Sequence, residues 1–179
     1  MKKIILVFLY FLPTMLLAQK LTRKYSFYIQ GGYLSSGYIK ESAQKKIVSA
    51  LETQHHKYII LNAGFQVHLS EKWRTGLVFT YDHFGTKKRS VEYSNLCYMF
   101  RCDRIWIKTK KYSCYSGLSF GIRKIRQFEN EVEIERKVNP GYQIYLMGTD
   151  FKLADRLFFD INAGWGVSGI LNVGLKYSF

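Results

Sequence analysis

Residues 170–179 read ILNVGLKYSF, placing Leu171, Val173, Leu175, Tyr177 and Phe179 on one side of an extended chain and Asn172, Gly174, Lys176 and Ser178 on the other. A period of two belongs to a strand with one oily face and one wet or cramped face. The same pattern recurs upstream. Leu157, Phe159, Ile161, Ala163, Trp165 and Val167 oppose Phe158, Asp160, Asn162, Gly164, Gly166 and Ser168. Tyr25, Phe27, Ile29 and Tyr33 oppose Ser26, Tyr28, Gln30 and Gly32. Ile59, Leu61, Ala63, Phe65, Val67 and Leu69 oppose Ile60, Asn62, Gly64, Gln66 and His68. Trp73, Leu77, Phe79 and Tyr81 oppose Arg74, Gly76, Thr80 and Asp82, and Tyr112, Cys114, Leu118, Phe120 and Ile122 oppose Ser113, Tyr115, Gly117, Ser119, Gly121 and Arg123.

Two further segments read less cleanly. Leu96, Tyr98, Phe100, Cys102 and Trp106 share a face against Met99, Arg101, Asp103 and Ile105, but Arg104 falls among the apolar residues. An Arg there belongs near an interface, with its charge turned back beside Trp106. In the stretch 142–153 the parity is ambiguous; Tyr145, Met147, Thr149, Phe151 and Leu153 are assigned outward, with a bulge expected. The connections alternate in length. Ser70-Glu71-Lys72, residues 108–111 and Ala154-Asp155-Arg156 are short, whereas 35–56, 85–95 and 124–141 are longer, and a last tight turn falls at Ser168-Gly169. Eight such strands, with short turns at one end and longer loops at the other, predict an all-β fold, an eight-stranded antiparallel up-and-down transmembrane β-barrel.

The first residues read as an export signal. Met1, Lys2 and Lys3 give a positive start, residues 4–12 an apolar run, and Leu16-Leu17-Ala18 before Gln19 a cleavage site. The expected division is therefore a signal peptide over 1–18, cleaved after Ala18, and one barrel domain over 19–179. Aromatic residues make up 17% of the chain and Pro occurs only 2 times, which favours strands over disorder. No run after the leader is long and apolar enough for a membrane helix, so strands are the remaining way to span a bilayer.

These features together resemble the small eight-stranded outer-membrane β-barrel proteins of Gram-negative bacteria, including the barrel domain of outer membrane protein A. The resemblance covers residues 19–179, and the leader resembles those common in Bacteroidetes. It implies residence in the outer membrane, and it implies that Tyr177 and Phe179 act as the signal read by the outer-membrane assembly machinery. A soluble exported barrel of the lipocalin kind would alternate too, with its apolar face turned inward. Against it, the polar parity here is mostly Gly, Ser, Asn and Gln, which suits a narrow interior rather than a wet exterior.

An eight-stranded barrel is just wide enough to be filled by side chains. Arg74, Asp82, Arg101, Asp103, Arg123, Asp160 and Lys176 are the charged candidates for that interior polar network. Their mixed signs call for internal ion pairs rather than a conducting pore. The chain as a whole carries +14, or +12 once the two leader lysines are gone. A basic exported protein expects anionic partners, and the outer leaflet offers lipopolysaccharide phosphates. Lys87, Lys88, Arg89, Lys124 and Arg126 are the contact candidates, joined at the expected outer rim by Lys45, Lys46, Lys57 and Arg123. Nucleic acid is not expected as a partner of an exported chain.

Other chemistry is sparse. Cys97, Cys102 and Cys114 make no disulfide framework, although Cys102 and Cys114 share a predicted face on neighbouring strands. His55-His56 lacks companion ligands at metal-site spacing, so neither metal nor cofactor is expected. Residues 41–53 carry helical spacing, and 128–138 alternate Glu with apolar residues, as an extended hairpin above the membrane would, with Asn139-Pro140-Gly141 kinking its return limb. Some eight-stranded outer-membrane barrels modify lipid A. His83 with Ser90, Ser94 and Glu92 is the only grouping here that could do so, and it lacks the motif of the deacylases, so no catalytic residues are expected.

Overall fold

A computed structural model describes residues 24–35, 55–86, 91–130 and 132–179. The expected signal peptide and the helical spacing of 41–53 lie outside them. Eight antiparallel strands follow in order: β1 (Tyr25–Tyr33), β2 (His55–His68), β3 (Trp73–Thr86), β4 (Val91–Lys108), β5 (Tyr112–Glu129), β6 (Val132–Lys152), β7 (Leu157–Gly166) and β8 (Leu171–Ser178). Each pairs with its neighbours in sequence, and β8 returns to β1 through pairs such as Phe27 with Tyr177 and Ile29 with Leu175, closing the barrel. Closure satisfies the backbone without leaving an edge in hydrocarbon.

The oily parity faces outward. Phe27, Ile29, Leu61, Leu77, Phe79, Phe100, Leu118, Phe120, Val173 and Leu175 are all exposed, while Gln30, Asn62, Gln66, Arg101, Asp103, Asp160 and Asn172 are buried. A soluble barrel has the reverse distribution, which rejects the lipocalin alternative. Aromatic side chains ring both ends of the belt. Trp73, Trp106, Tyr112, Tyr177 and Phe179 stand toward the inner end, where both termini of the barrel lie, and Tyr33, Tyr81, Tyr98 and Trp165 stand toward the outer end. Arg104 lies where expected: its guanidinium carbon sits 4.3 Å from the Trp106 ring and 5.7 Å from that of Trp73. At an inner turn the Lys152 ammonium donates to Asp155 at 2.9 Å, and this bond holds the Asp155 carboxyl below the usual carboxylate range.

Three expectations need correction. Tyr145 points inward, not outward, and is 2% exposed. The bulge falls immediately after it: the β6–β7 register slips between Tyr145 and Met147, leaving Leu146 and Met147 both exposed and switching the parity. Below the slip Met147, Phe151 and Leu153 do face outward. Val167 also turns inward, because β7 ends at Gly166, whose φ of 145° takes the chain off the strand. Val167 then packs in a buried cluster with Tyr28, Val78, Cys97 and Met99. Finally, among the described residues the outer connections 85–95 and 124–141 are mostly strand, and the second is the extended hairpin expected over 128–138. β3 and β4 run on to Thr86 and from Val91, and β5 and β6 meet at a tight turn where Asn130 takes a φ of 49°. Pro140 does not kink β6; it pairs with Ile122 in an unbroken register.

Candidate functional site: the lumen and the outer rim

The interior is built in tiers by cross-strand register. Toward the inner end, Arg74 on β3 stands opposite Asp103 on β4 and donates to it from Nε at 2.7 Å, while its Nη1 reaches Asp150 on β6 at 2.5 Å. Asp150 and Asp160 oppose each other across β6 and β7, an arrangement that repels. Lys176 resolves it by reaching from β8 to both, with its ammonium hydrogen-bonded to Asp150 and 3.3 Å from Asp160. Arg101 donates to Asp103 from Nε at 2.9 Å. Arg74, Arg101 and Lys176 thus meet Asp103, Asp150 and Asp160, three charges against three, which leaves this buried cluster neutral.

Three tyrosines frame the arginines. The Arg74 guanidinium lies 3.8 Å from the Tyr115 ring centre and that of Arg101 3.9 Å from Tyr145. Both arginines leave an Nη2 without a hydrogen-bond partner, and the ring faces take up that charge instead. The Tyr28 hydroxyl accepts from Arg101 at 3.1 Å, and that of Tyr115 donates to Asp160 at 2.6 Å. Each tyrosine is paired with a cross-strand glycine, Tyr28 with Gly64, Tyr115 with Gly148 and Tyr145 with Gly117 and Gly164, and the rings of Tyr28 and Tyr115 lie against theirs. A Cβ at Gly64 or Gly148 would run into the ring facing it, so those glycines are the space in which the tyrosines lie.

The next tier is neutral. Thr80 Oγ1 donates to Asn62 Oδ1 at 2.7 Å, and Asn62 Nδ2 donates to Asn172 Oδ1 at 2.9 Å and to the Ser168 carbonyl at 3.1 Å. Gln143 accepts from the Ser168 amide and donates to the Gly169 carbonyl, both at 2.9 Å. The β7–β8 turn is thereby folded into the outer mouth and held by side chains of β2, β6 and β8. Above it Asp82 accepts from Ser35 at 2.7 Å and from Asn95 at 3.1 Å, and Arg123 is half-buried on the same inward parity.

The seven charged candidates therefore all lie on inward positions, but they divide. Arg74, Arg101, Asp103, Asp160 and Lys176 come together in the inner cluster, whereas Asp82 and Arg123 belong to the outer mouth. Asp150 was missed, although its place in the favoured parity of β6 pointed inward. Tyr28 and Tyr115 were on the polar parity but gave no sign in the sequence of stacking on arginines.

Outside the barrel, Lys124 and Arg126 continue the outward column of Leu118, Phe120 and Ile122 beyond the aromatic belt. The Lys124 ammonium is 5.7 Å from the Tyr98 ring centre. Arg126 stands between Ser94 on β4 and Arg136 on β6, a neighbour the sequence reading did not include. Lys87, Lys88, Arg89, Lys45, Lys46 and Ser90 lie outside the described residues. His83 is opposite Ser94, and its Nε2 is 3.8 Å from Glu92 Oε2, beyond hydrogen-bond reach. Cys102 is opposite Leu118 and Cys114 opposite Ile107, so these two thiols are not paired across the strands, and all three cysteines are free.

No protein-family model and no curated protein sequence matches the chain. Among solved structures it is similar to the N-terminal β-barrel domain of Pseudomonas aeruginosa OprF, at 8% identity and a TM-score of 0.54 over 87% of this chain and 97% of that one. It is similar also to Neisserial surface protein A, at 9% identity and 0.53 over 88% and 96%. Ail, the attachment invasion locus protein of Yersinia pestis, solved with the heparin analogue sucrose octasulfate, matches at 13% identity and 0.52 over 88% and 97%. At such identities the likeness is one of fold, and the fold is the closed eight-stranded barrel of outer-membrane proteins.

Proposed function

We propose that this chain is an integral protein of the outer membrane of a Gram-negative bacterium, with a structural or surface-binding role and no catalysis. The observation that carries the reading is the inverted barrel: an unbroken apolar belt outside and a neutral, hydrogen-bonded polar filling inside. Exposing that belt to water would be costly, whereas hydrocarbon accepts it. The filled lumen, its inner charges paired and its outer mouth occupied by the 167–170 turn, is closed to solutes. Export follows from the leader, and docking on the assembly machinery from Tyr177 and Phe179, both exposed at the inner end of the barrel.

The ligand of this reading is lipopolysaccharide, or an extracellular partner of similar charge. Lys124 and Arg126 stand just above the outer aromatic ring, at the height of headgroup phosphates, with Lys87, Lys88 and Arg89 close in sequence to the same rim. The similar barrel of Ail was solved with a polyanionic sugar, which is the same recognition chemistry.

Density fractionation of cell envelopes is expected to place the protein with the outer membrane, and heating is expected to change its gel mobility. Recovery from the periplasm would overturn the reading. Purified protein in phosphatidylcholine vesicles is expected to bind added lipopolysaccharide, with a several-fold loss for a Lys124→Ala, Arg126→Ala double variant. Lipid A from cells with and without the protein is expected to have the same mass; a lost or added acyl chain would assign an enzyme instead.

A further inference from the structure

The barrel wall is uneven in height. The β6–β7 ladder begins at Gln143 with Gly166, so β6 residues 132–142 have β5 on one side and no strand on the other among the described residues. All nine residues from Val132 to Pro140 are exposed. That is a free edge of about 30 Å at ~3.3 Å per residue, standing outside the hydrocarbon. Pro140, which has no N–H to give, stands at its foot, a place where a proline is tolerated because no neighbour needs the donor.

An edge of this kind accepts another strand, and its own charges say which. Glu133 and Glu135 precede Arg136 and Lys137. Two copies side by side in one membrane are related by a twofold axis along the membrane normal, so their β6 strands would run parallel. Glu135 would then meet Glu135, and Lys137 would meet Lys137, like charge beside like on every row. Two copies in facing membranes are related by an axis across the strands, so β6 would meet β6 antiparallel. With the axis at Arg136, Glu135 of each copy lies opposite Lys137 of the other, twice over. Arg136 still meets its own counterpart, but its Nε is already held by Glu133 at 3.1 Å. The present Lys137–Glu135 contact within one strand, at 2.6 Å and half exposed, is of a kind worth little and can be exchanged for the cross-copy pair.

We propose that the outer edge of β6 is a homotypic docking strand, joining two copies of this chain head-on between facing membranes. The proposal rests on insertion of the barrel with its outer end projecting from the bilayer, and on no particular lipid ligand.

The test uses the full protein in two populations of phosphatidylcholine vesicles, free of lipopolysaccharide and labelled with donor and acceptor fluorophores. Tethering, read as energy transfer and turbidity, is expected only when both populations carry the protein. Glu135→Lys or Lys137→Glu in both populations turns two attractive pairs into repulsive ones and is expected to reduce tethering roughly tenfold. Mixing Glu135→Lys vesicles with Lys137→Glu vesicles restores opposite charges and is expected to recover it. Tethering that survives either variant, that fails to recover in the mixed pair, or that needs protein in one population only would overturn the proposal. So would absence of tethering by the unaltered chain, leaving the edge to a strand of a different protein. Heat-modifiable mobility of each sample reports barrel insertion separately, so a failed barrel is not read as a failed edge.

Discussion

At the level of the apolar belt every strand has a neighbour on both sides, and its two faces meet two different media. In the outer reach of β5 and β6 the same backbone continues with water on both faces and, on one side of β6, no strand among the described residues. The difference shows in the residues. Along β5 the outward column runs Leu118, Phe120, Ile122 and then Lys124, Arg126, while the inward one changes from Tyr115, Ser119 to Arg123. Alternation is therefore a property of the medium as much as of the strand, and it ends where the medium does although the hydrogen-bond ladder does not.

The contrast breaks most severely if the inner cluster is opened. Asp103→Ala strands Arg101 and takes from Arg74 one of its two carboxylates, and is expected to cost about 3–5 kcal/mol of folding free energy in lipid vesicles, read by urea titration of tryptophan fluorescence. The two reaches can next be set against each other with one substitution. Phe120→Arg on the belt, at a side chain 65% exposed to the bilayer, is expected to destabilise by ~2–4 kcal/mol in the same titration. Val138→Arg, exposed to nearly the same degree on the outer reach, is expected to change stability by no more than about 0.5 kcal/mol. Equal penalties at the two sites would remove the distinction between the media. A smaller effect than that of the belt substitution lies at the inner interface, where Trp106→Ala takes the ring from under Arg104 and is expected to cost about 0.5–1 kcal/mol.

Most of the exterior was legible because hydrocarbon tolerates few exceptions, and Arg104 could be placed by asking where an exception is cheapest. Residues 144–147, Ile-Tyr-Leu-Met, gave no parity because all four are apolar, so the slip that turns Tyr145 inward left no trace in the pattern. Tyrosine itself is ambiguous, an aromatic body with a polar tip, and suits both the girdle and the lumen. The inward position of Asp103 could be read from its own strand, but its pairing with Arg74 depends on the register between β3 and β4. Asp150 meets Lys176 only through the successive registers of β6 with β7 and of β7 with β8, a relation between strands that periodicity does not carry. The alternation of 128–138 announced the outer hairpin, but its flanks were read as connection because the outward parity there turns from apolar to charged at Lys124 and Arg126.

The tucked β7–β8 turn bears on how the cylinder comes together. Its carbonyls and amide are received by Asn62 from the second strand and Gln143 from the sixth, so its seat does not exist until those distant parts of the wall have curled toward each other. The closing hairpin is thus keyed to a nearly finished barrel, since only a correctly rounded wall offers the turn its lock.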